Sequence, residues 1–334
     1  MKFRTRGRFN VKRWSRALVD RVRGTPFDRA LRAARRVGRR EFVFGWNRGL
    51  GDIALGLVPL FARIRAELPG SRITLFTRAD LAAPFQLTEV DVLHVVPALE
   101  RGAPLDPAAA AASMAVPLPA DAVVFADPDP TRWLDGRRRE FAPRLRWNAE
   151  WNAKAEDLVP GFDGITIGAH VNSETARYYG YVKDWPETAW RQLFARFPDT
   201  RSVRWLLFGN AAPAQFTQPN IVDLRGRTDF LALLAVLRTR CRILVAPDSG
   251  VLTAAYYLDQ AFPLEVISLW SDPRQGVLKQ DCPSPNPELR HLALAGRDED
   301  VRNLSVDEVG VAVAAALARC AHATGTEREP TIAS

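Results

Sequence analysis

Two periodicities alternate along most of this chain. Short runs crowded with β-branched, aromatic and aliphatic residues, such as EFVFGW at 41–46 and RITLFT at 72–77, are followed by longer stretches. In those stretches apolar positions recur every three or four residues. Continuous apolar runs of this length read as strands buried on both faces, and their alternation with helices reads as parallel sheets covered by helices. The first series predicts strands at 41–46, 72–77, 91–96 and 122–126, with a helix running to Leu68 after the first strand. A second series predicts strands at 164–169, 205–208, 221–224, 243–246 and 264–269, and helices at 187–197, 229–240, 251–258 and 306–319. Two such series predict an α/β chain with two Rossmann-like domains facing across a cleft, residues 41–160 and 161–334. The stretch 102–120, with Pro104, Pro107, Pro117 and Pro119, reads as a surface linker.

The first 40 residues differ from the rest. They carry 15 basic and 2 acidic side chains, while the remaining residues carry 31 basic and 36 acidic ones. The net charge of +8 therefore belongs to a basic amphipathic arm on a mildly acidic body. Trp14, Leu18 and Val22 recur at helical spacing among Arg13, Arg16, Arg21 and Arg23, and Phe27, Leu31 and Ala34 follow Pro26 in the same way. Such a segment suits an anionic membrane surface, and a solvated helix resting on the body is the plainer alternative. Nucleic acid is a weaker reading, because no aromatic–basic interleaving, RNP motif or zinc finger accompanies the charge. An organellar transit peptide is disfavoured by a single serine, Ser15.

Hydrophobic residues make up 47% and charged residues 25%, which excludes a chain disordered throughout and a disulfide scaffold. Cys241, Cys282 and Cys320 are far apart and fit a reducing cytosol. The longest uncharged run, 205–222, is broken by Pro213 and Pro219, so no transmembrane helix is expected. No histidine pair has metal-ligand spacing, although His170 ends a predicted strand and could face a ligand. The signatures G-x-S-x-G, the Walker P-loop, HExxH and GxGxxG are missing, which removes acyl transfer and zinc proteolysis from consideration.

Three strand–loop–helix junctions could carry chemistry. The first holds Gly49, Gly51 and Asp52, where a carboxylate at the carboxyl end of a parallel strand could act as a general base. Aspartate is also a preferred helix N-cap, and capping alone would explain it. The second is Lys183-Asp184-Trp185-Pro186. Pro186 explains the helix start, whereas the lysine is left to meet a phosphate or simply the solvent. The third is Pro247-Asp248-Ser249-Gly250, where a helix N-terminus offers free N–H groups to a diphosphate, or where Ser249 is only a cap.

Together these junctions resemble the heptosyltransferase-like glycosyltransferases of family 9. The resemblance rests on Gly51-Asp52-Ile53 with Leu57-Val58-Pro59 and Pro69-Gly70-Ser71-Arg72-Ile73-Thr74. It continues through Ile167-Gly168-Ala169-His170 with Lys183-Asp184-Trp185-Pro186, then Asp223-Leu224-Arg225-Gly226-Arg227-Thr228, Asp248-Ser249-Gly250 and Ser271-Asp272-Pro273. It implies a GT-B fold and an inverting transfer of a sugar, with ADP-heptose the favoured donor, onto a lipopolysaccharide-core or related surface-glycan acceptor. It implies Asp52 as the base, and Lys183, Asp248, Ser249, Gly250 and Thr253 on the donor side. Gly49 and Gly51 shape the loop near the acceptor. No metal and no cofactor beyond the nucleotide-sugar co-substrate is implied, and the protein is expected in the cytoplasm, peripheral on the inner membrane face. On this view Asp52 and Lys183 belong to different domains and meet when the cleft closes.

Two departures leave the donor sugar and nucleotide open. Thr253 stands where the family commonly has histidine, and Gly209 leads into 210–215 without the acidic residue usual there. A non-catalytic nucleotide-sugar-binding protein of the same fold is the alternative from another class.

Overall fold

The strand runs predicted from the sequence form two parallel sheets. A computed structural model of the chain describes residues 20, 23–134, 139–173, 180–211 and 215–324. The part of the basic arm holding Trp14, Leu18 and Val22 lies outside these residues, as do 212–214 of the segment after Gly209. The described residues divide into two compact units.

The first unit draws on Met1–Asn47, Pro59–Ala82 and Glu89–Arg137, as far as these are described. Its strands are β1 (Glu41–Trp46), β2 (Arg72–Thr77), β3 (Val92–Val95) and β4 (Val123–Phe125), in the order β3-β2-β1-β4. Phe42 of β1 is in register with Ile73 of β2 and Val123 of β4. Phe42, Val43, Phe44 and Trp46 are all buried, the expected result for a central parallel strand covered on both faces. Asn47 closes β1 by donating to the carbonyls of Glu100 and Ala103, both at 2.8 Å, while Arg78 donates to its Oδ1 at 2.9 Å.

Part of the basic arm is built into this unit. Helix Pro26–Val37 starts at a capping box, with Thr25 and Asp28 reciprocally bonded, and stops at Gly38 in the left-handed region (φ 72°). Phe27, Leu31 and Ala34 are buried, and the Phe27 ring lies 5.4 Å from Phe125 and 5.5 Å from Trp133. Buried Arg63 pairs with Asp28 and with Glu67. The stretch 102–120, expected as a linker, contains a short helix, Pro107–Ser113, capped by Asp106.

The second unit comprises Arg48–Val58, Ala83–Thr88 and Arg138–Ser334, as far as described. Its six strands are β5 (Ile165–His170), β6 (Val203–Phe208), β7 (Ile221–Asp223), β8 (Ile243–Pro247), β9 (Leu264–Trp270) and β10 (Leu289–Ala295). They run parallel in the order β10-β9-β8-β5-β6-β7, which is the 3-2-1-4-5-6 order of a doubly wound nucleotide-binding sheet. Successive residues serve opposite cores. Leu206 and Leu244 face a cluster with Leu234, Leu252, Tyr257 and Trp270, while Leu207 and Val245 face Trp190, Phe194 and Val313. Strand β10 went unpredicted because it sits at the sheet edge, where four of its seven residues are exposed, the other three are half-buried, and the apolar run is diluted.

Among the described residues no helix is long and apolar enough to cross a membrane. The three cysteines are buried, and none is in a disulfide among the described residues.

Candidate active site

Chain order reverses between β5 and β8, and ligands of open α/β sheets bind in the crevice at the carboxyl ends of such strands. Strand β5 ends at His170, and β8 ends at Pro247-Asp248-Ser249. The helix Gly250–Tyr257 begins there. Ser249 has extended φ/ψ and accepts the Leu252 N–H at 3.2 Å, so it is a true N-cap. The other first-turn N–H groups remain as donors for an anion.

Asp248 is buried and accepts a 2.6 Å hydrogen bond from Lys183 Nζ. The partners' side chains are 12% and 18% exposed, so this pair is far less screened by water than a surface salt bridge. Gly276 makes room for it. A Cβ at this position would fall 2.6 Å from Asp248 Oδ1, and φ is +51°, so glycine is required on both counts.

The segment carrying Asp52 leaves β1 and joins the second unit, the same unit that holds Lys183 and Asp248. Ala54 and Val58 enter the core with Leu252, Tyr257 and Trp270, and buried Gln280 donates to the Leu55 carbonyl at 3.1 Å. A Cβ on Gly51 would lie 3.5 Å from Gly250 Cα and 3.5 Å from Thr253 Oγ1. A Cβ on Gly250 would meet Leu50 Cδ2 at 2.4 Å and Gly51 N at 3.1 Å. The two glycine turns therefore touch backbone to backbone, which fixes the Asp52 loop on the start of the Gly250–Tyr257 helix. In this division Asp52 and Lys183 fall within one compact unit. The apolar residues Ala54 and Val58 bind their segment to the second core, and sequence order alone assigned it to the first.

Asp52 does not cap. Its own φ/ψ are helical (−71°, −14°), and its side chain makes no capping hydrogen bond. The helix it enters is π-wound over Ile53–Leu57, a local irregularity found often at functional sites. Asp52 is exposed, and its Oδ2 would lie 3.1 Å from a Cβ on Gly49, so the carboxylate folds back over that glycine. Surrounding protein raises the carboxyl above its ordinary range, opposed by the cations Lys183 and Arg48. Contact with water limits that rise. The result is a carboxylate with basicity somewhat above normal and no capping hydrogen bond to keep it from a substrate.

Thr253 is placed differently. It is 2% exposed, and its hydroxyl donates to the Ser249 carbonyl at 3.0 Å, so this side chain supports the helix turn. His170 is buried with an unpartnered Nδ1, and burial holds its pKa down at about 4. Asp184, next to Lys183, accepts the Ser173 N–H at 2.8 Å and is pushed up to about 6 by burial. Sequence reasoning gave no role to Asp184, Gly276 or Gln280. Of these, only the Lys-Asp-Trp-Pro string offered any signal. Among the described residues no group of three His, Cys, Asp or Glu side chains is arranged to hold a metal ion.

This strand order, with a capped helix and a half-buried cation at the reversal of chain order, is that of an α/β protein of two Rossmann-like units. No protein-family model matches the sequence, and no curated protein matches it. Solved structures do share the fold. E. coli ADP-heptose LPS heptosyltransferase II superposes with a TM-score of 0.58 at 16% identity, over 84% of this chain and 99% of that one. The glycosyl transferase family 9 protein of Veillonella parvula gives 0.55 at 16%, over 84% and 98%. E. coli heptosyltransferase WaaC, solved with ADP, gives 0.53 at 15%, over 83% and 99%. At these identities the likeness is one of fold.

Proposed function

We propose that this protein is an inverting, heptosyltransferase-like glycosyltransferase that takes a nucleotide-diphosphate sugar as donor. The observation that carries the reading is a solvent-facing, non-capping carboxylate mounted on the same unit as Lys183 and the Gly250–Tyr257 helix start. The nucleoside diphosphate lies at the β5–β8 reversal, its charge met by Lys183 Nζ and by first-turn N–H groups. An acceptor hydroxyl attacks the anomeric carbon from the face opposite the diphosphate. Its proton passes to Asp52 as the new C–O bond forms, and the old bond breaks with its electron pair leaving on the diphosphate. Asp248 holds Lys183 in place through their 2.6 Å hydrogen bond. No step in this scheme needs a metal. The acceptor is a sugar hydroxyl of a lipopolysaccharide core or related surface glycan, reached from the cytoplasm.

ADP-heptose is the favoured donor, by analogy with the proteins that share the fold. A different nucleotide or sugar is the second reading, supported by Thr253, whose hydroxyl donates its proton to the Ser249 carbonyl. Thermal-shift titrations with ADP, UDP, GDP and dTDP test both. A ligand of the native state raises the unfolding midpoint once its concentration passes the dissociation constant. A selective ADP response supports the heptose donor, another nucleotide keeps glycosyl transfer and changes the donor, and no response to any of them removes the proposal.

A further inference from the structure

The basic arm looked from its sequence like a helix that could bury an apolar face in a membrane. In the folded chain the apolar face of helix Pro26–Val37 is already occupied. Phe27, Leu31 and Ala34, within roughly 60° of one another at 100° per residue, are buried in the first unit. On the opposite side Arg29, Arg32 and Arg36 also fall within roughly 60°, and all three are exposed. Arg29 and Arg32 each donate one bond, to the Gly24 and Arg23 carbonyls, and none of the three meets a carboxylate among the described residues. The helix's one acid, Asp28, is held by Thr25 and Arg63. Its one exposed large apolar residue, Val37, stands at the C-terminal end.

We infer that this arginine row is a docking face for anionic phospholipid headgroups, working by adsorption and not by insertion. The charge is fixed in direction by the capping box, the Arg63–Asp28 pair and the Phe27 anchor, so little ordering accompanies contact. The row is convex and has no exposed aromatic residue on which a base could stack, and it offers no ribbon or groove-reading shape of the kind nucleic acid requires. A fluid headgroup layer can instead move its phosphates to the guanidiniums. With the apolar face consumed by the core, the interaction is electrostatic and salt must reverse it.

The test is co-sedimentation of the full chain with phosphatidylcholine vesicles, with and without phosphatidylglycerol. Binding is expected only with the anionic lipid, with release at ~1 M NaCl, where the screening length is a few ångströms. The R29Q/R32Q/R36Q variant is expected to bind roughly a hundredfold more weakly, with the charge-preserving R29K/R32K/R36K variant close to wild type. Unchanged unfolding midpoints in both variants show that the fold is intact. The inference is overturned if the glutamine variant binds as wild type does, if binding resists salt, or if duplex DNA displaces vesicles from the same arginines. None of these readouts involves a sugar donor, so failure here leaves the proposed transfer standing, and the reverse also holds.

Discussion

The turns after β1 and after β8 look alike in sequence: a buried strand, a short polar residue beside a glycine, then a helix. They do opposite things. Ser249 adopts extended φ/ψ and hands its oxygen to Leu252 N–H, so its polarity is absorbed by the helix it starts. Asp52 takes helical φ/ψ, caps nothing and keeps its carboxylate exposed. Capping and chemistry were both open readings for the two residues, and the backbone dihedrals separate them. A polar side chain at a helix entry that the helix does not use is the one available to a ligand.

Substitutions can break that contrast. Asp52→Asn should lower transfer by about 10²–10⁴-fold, the usual worth of a general base, with an unchanged unfolding midpoint and donor affinity. In wild type, transfer should fall on acidification at a pH above the ordinary carboxylate range, because protonation of the raised Asp52 removes the base. A midpoint lowered as by a lost cap would return Asp52 to a structural role.

Lys183→Met should weaken donor affinity by roughly 10–100-fold and also lower stability, since Asp248 is left buried without its cation. The double variant Lys183→Met/Asp248→Asn should recover the stability and not the affinity. Recovery of both in calorimetric titrations would make the pair purely structural.

Asp184 sharpens the comparison from another side, as a carboxylate that burial has raised and a hydrogen bond has claimed. Its folded value of about 6 exceeds the ordinary 3.8, so the native state holds the proton more tightly than the unfolded chain. The stability this contributes is complete below the unfolded value and is lost as pH rises through about 6. Asp184→Asn should therefore be more stable than wild type by about 1–2 kcal/mol above pH ~6.5, with the gap closing near pH ~4. Denaturant midpoints across that range are the check, and a constant gap would refute it.

Ser249→Ala should have the smallest effect, costing about 1 kcal/mol of stability with little change in the pH profile of transfer.

Much of the architecture was legible because parallel strands covered on both faces leave unbroken apolar runs. The run at 72–77 coincides with β2, and Asp229, expected to open a helix, caps Phe230–Arg240. Strand β10 escaped because an edge strand needs no such run. Asp52, Lys183, Asp248 and Ser249 could be singled out by their positions at strand–loop–helix junctions, and the structure brings all four into one unit. The assignment of Asp52 to that unit was not legible. It depends on Ala54 and Val58 choosing the more distant core, and on two glycine turns meeting at Gly51 and Gly250, which are contacts between segments some 200 residues apart. Thr253 was singled out by position alone, and its bond to Ser249 was not legible.

The anchoring of Phe27 between Phe125 and Trp133 bears on how this protein can be trimmed. Cutting away residues 1–40 as a removable tag would take a fully buried ring out of the first unit, an excision on the scale of about 3–5 kcal/mol. A shortened chain that lost activity or membrane contact would then be reporting an opened interior. Exchange of outward-facing arginines one at a time leaves that ring in place and makes the phenotype readable.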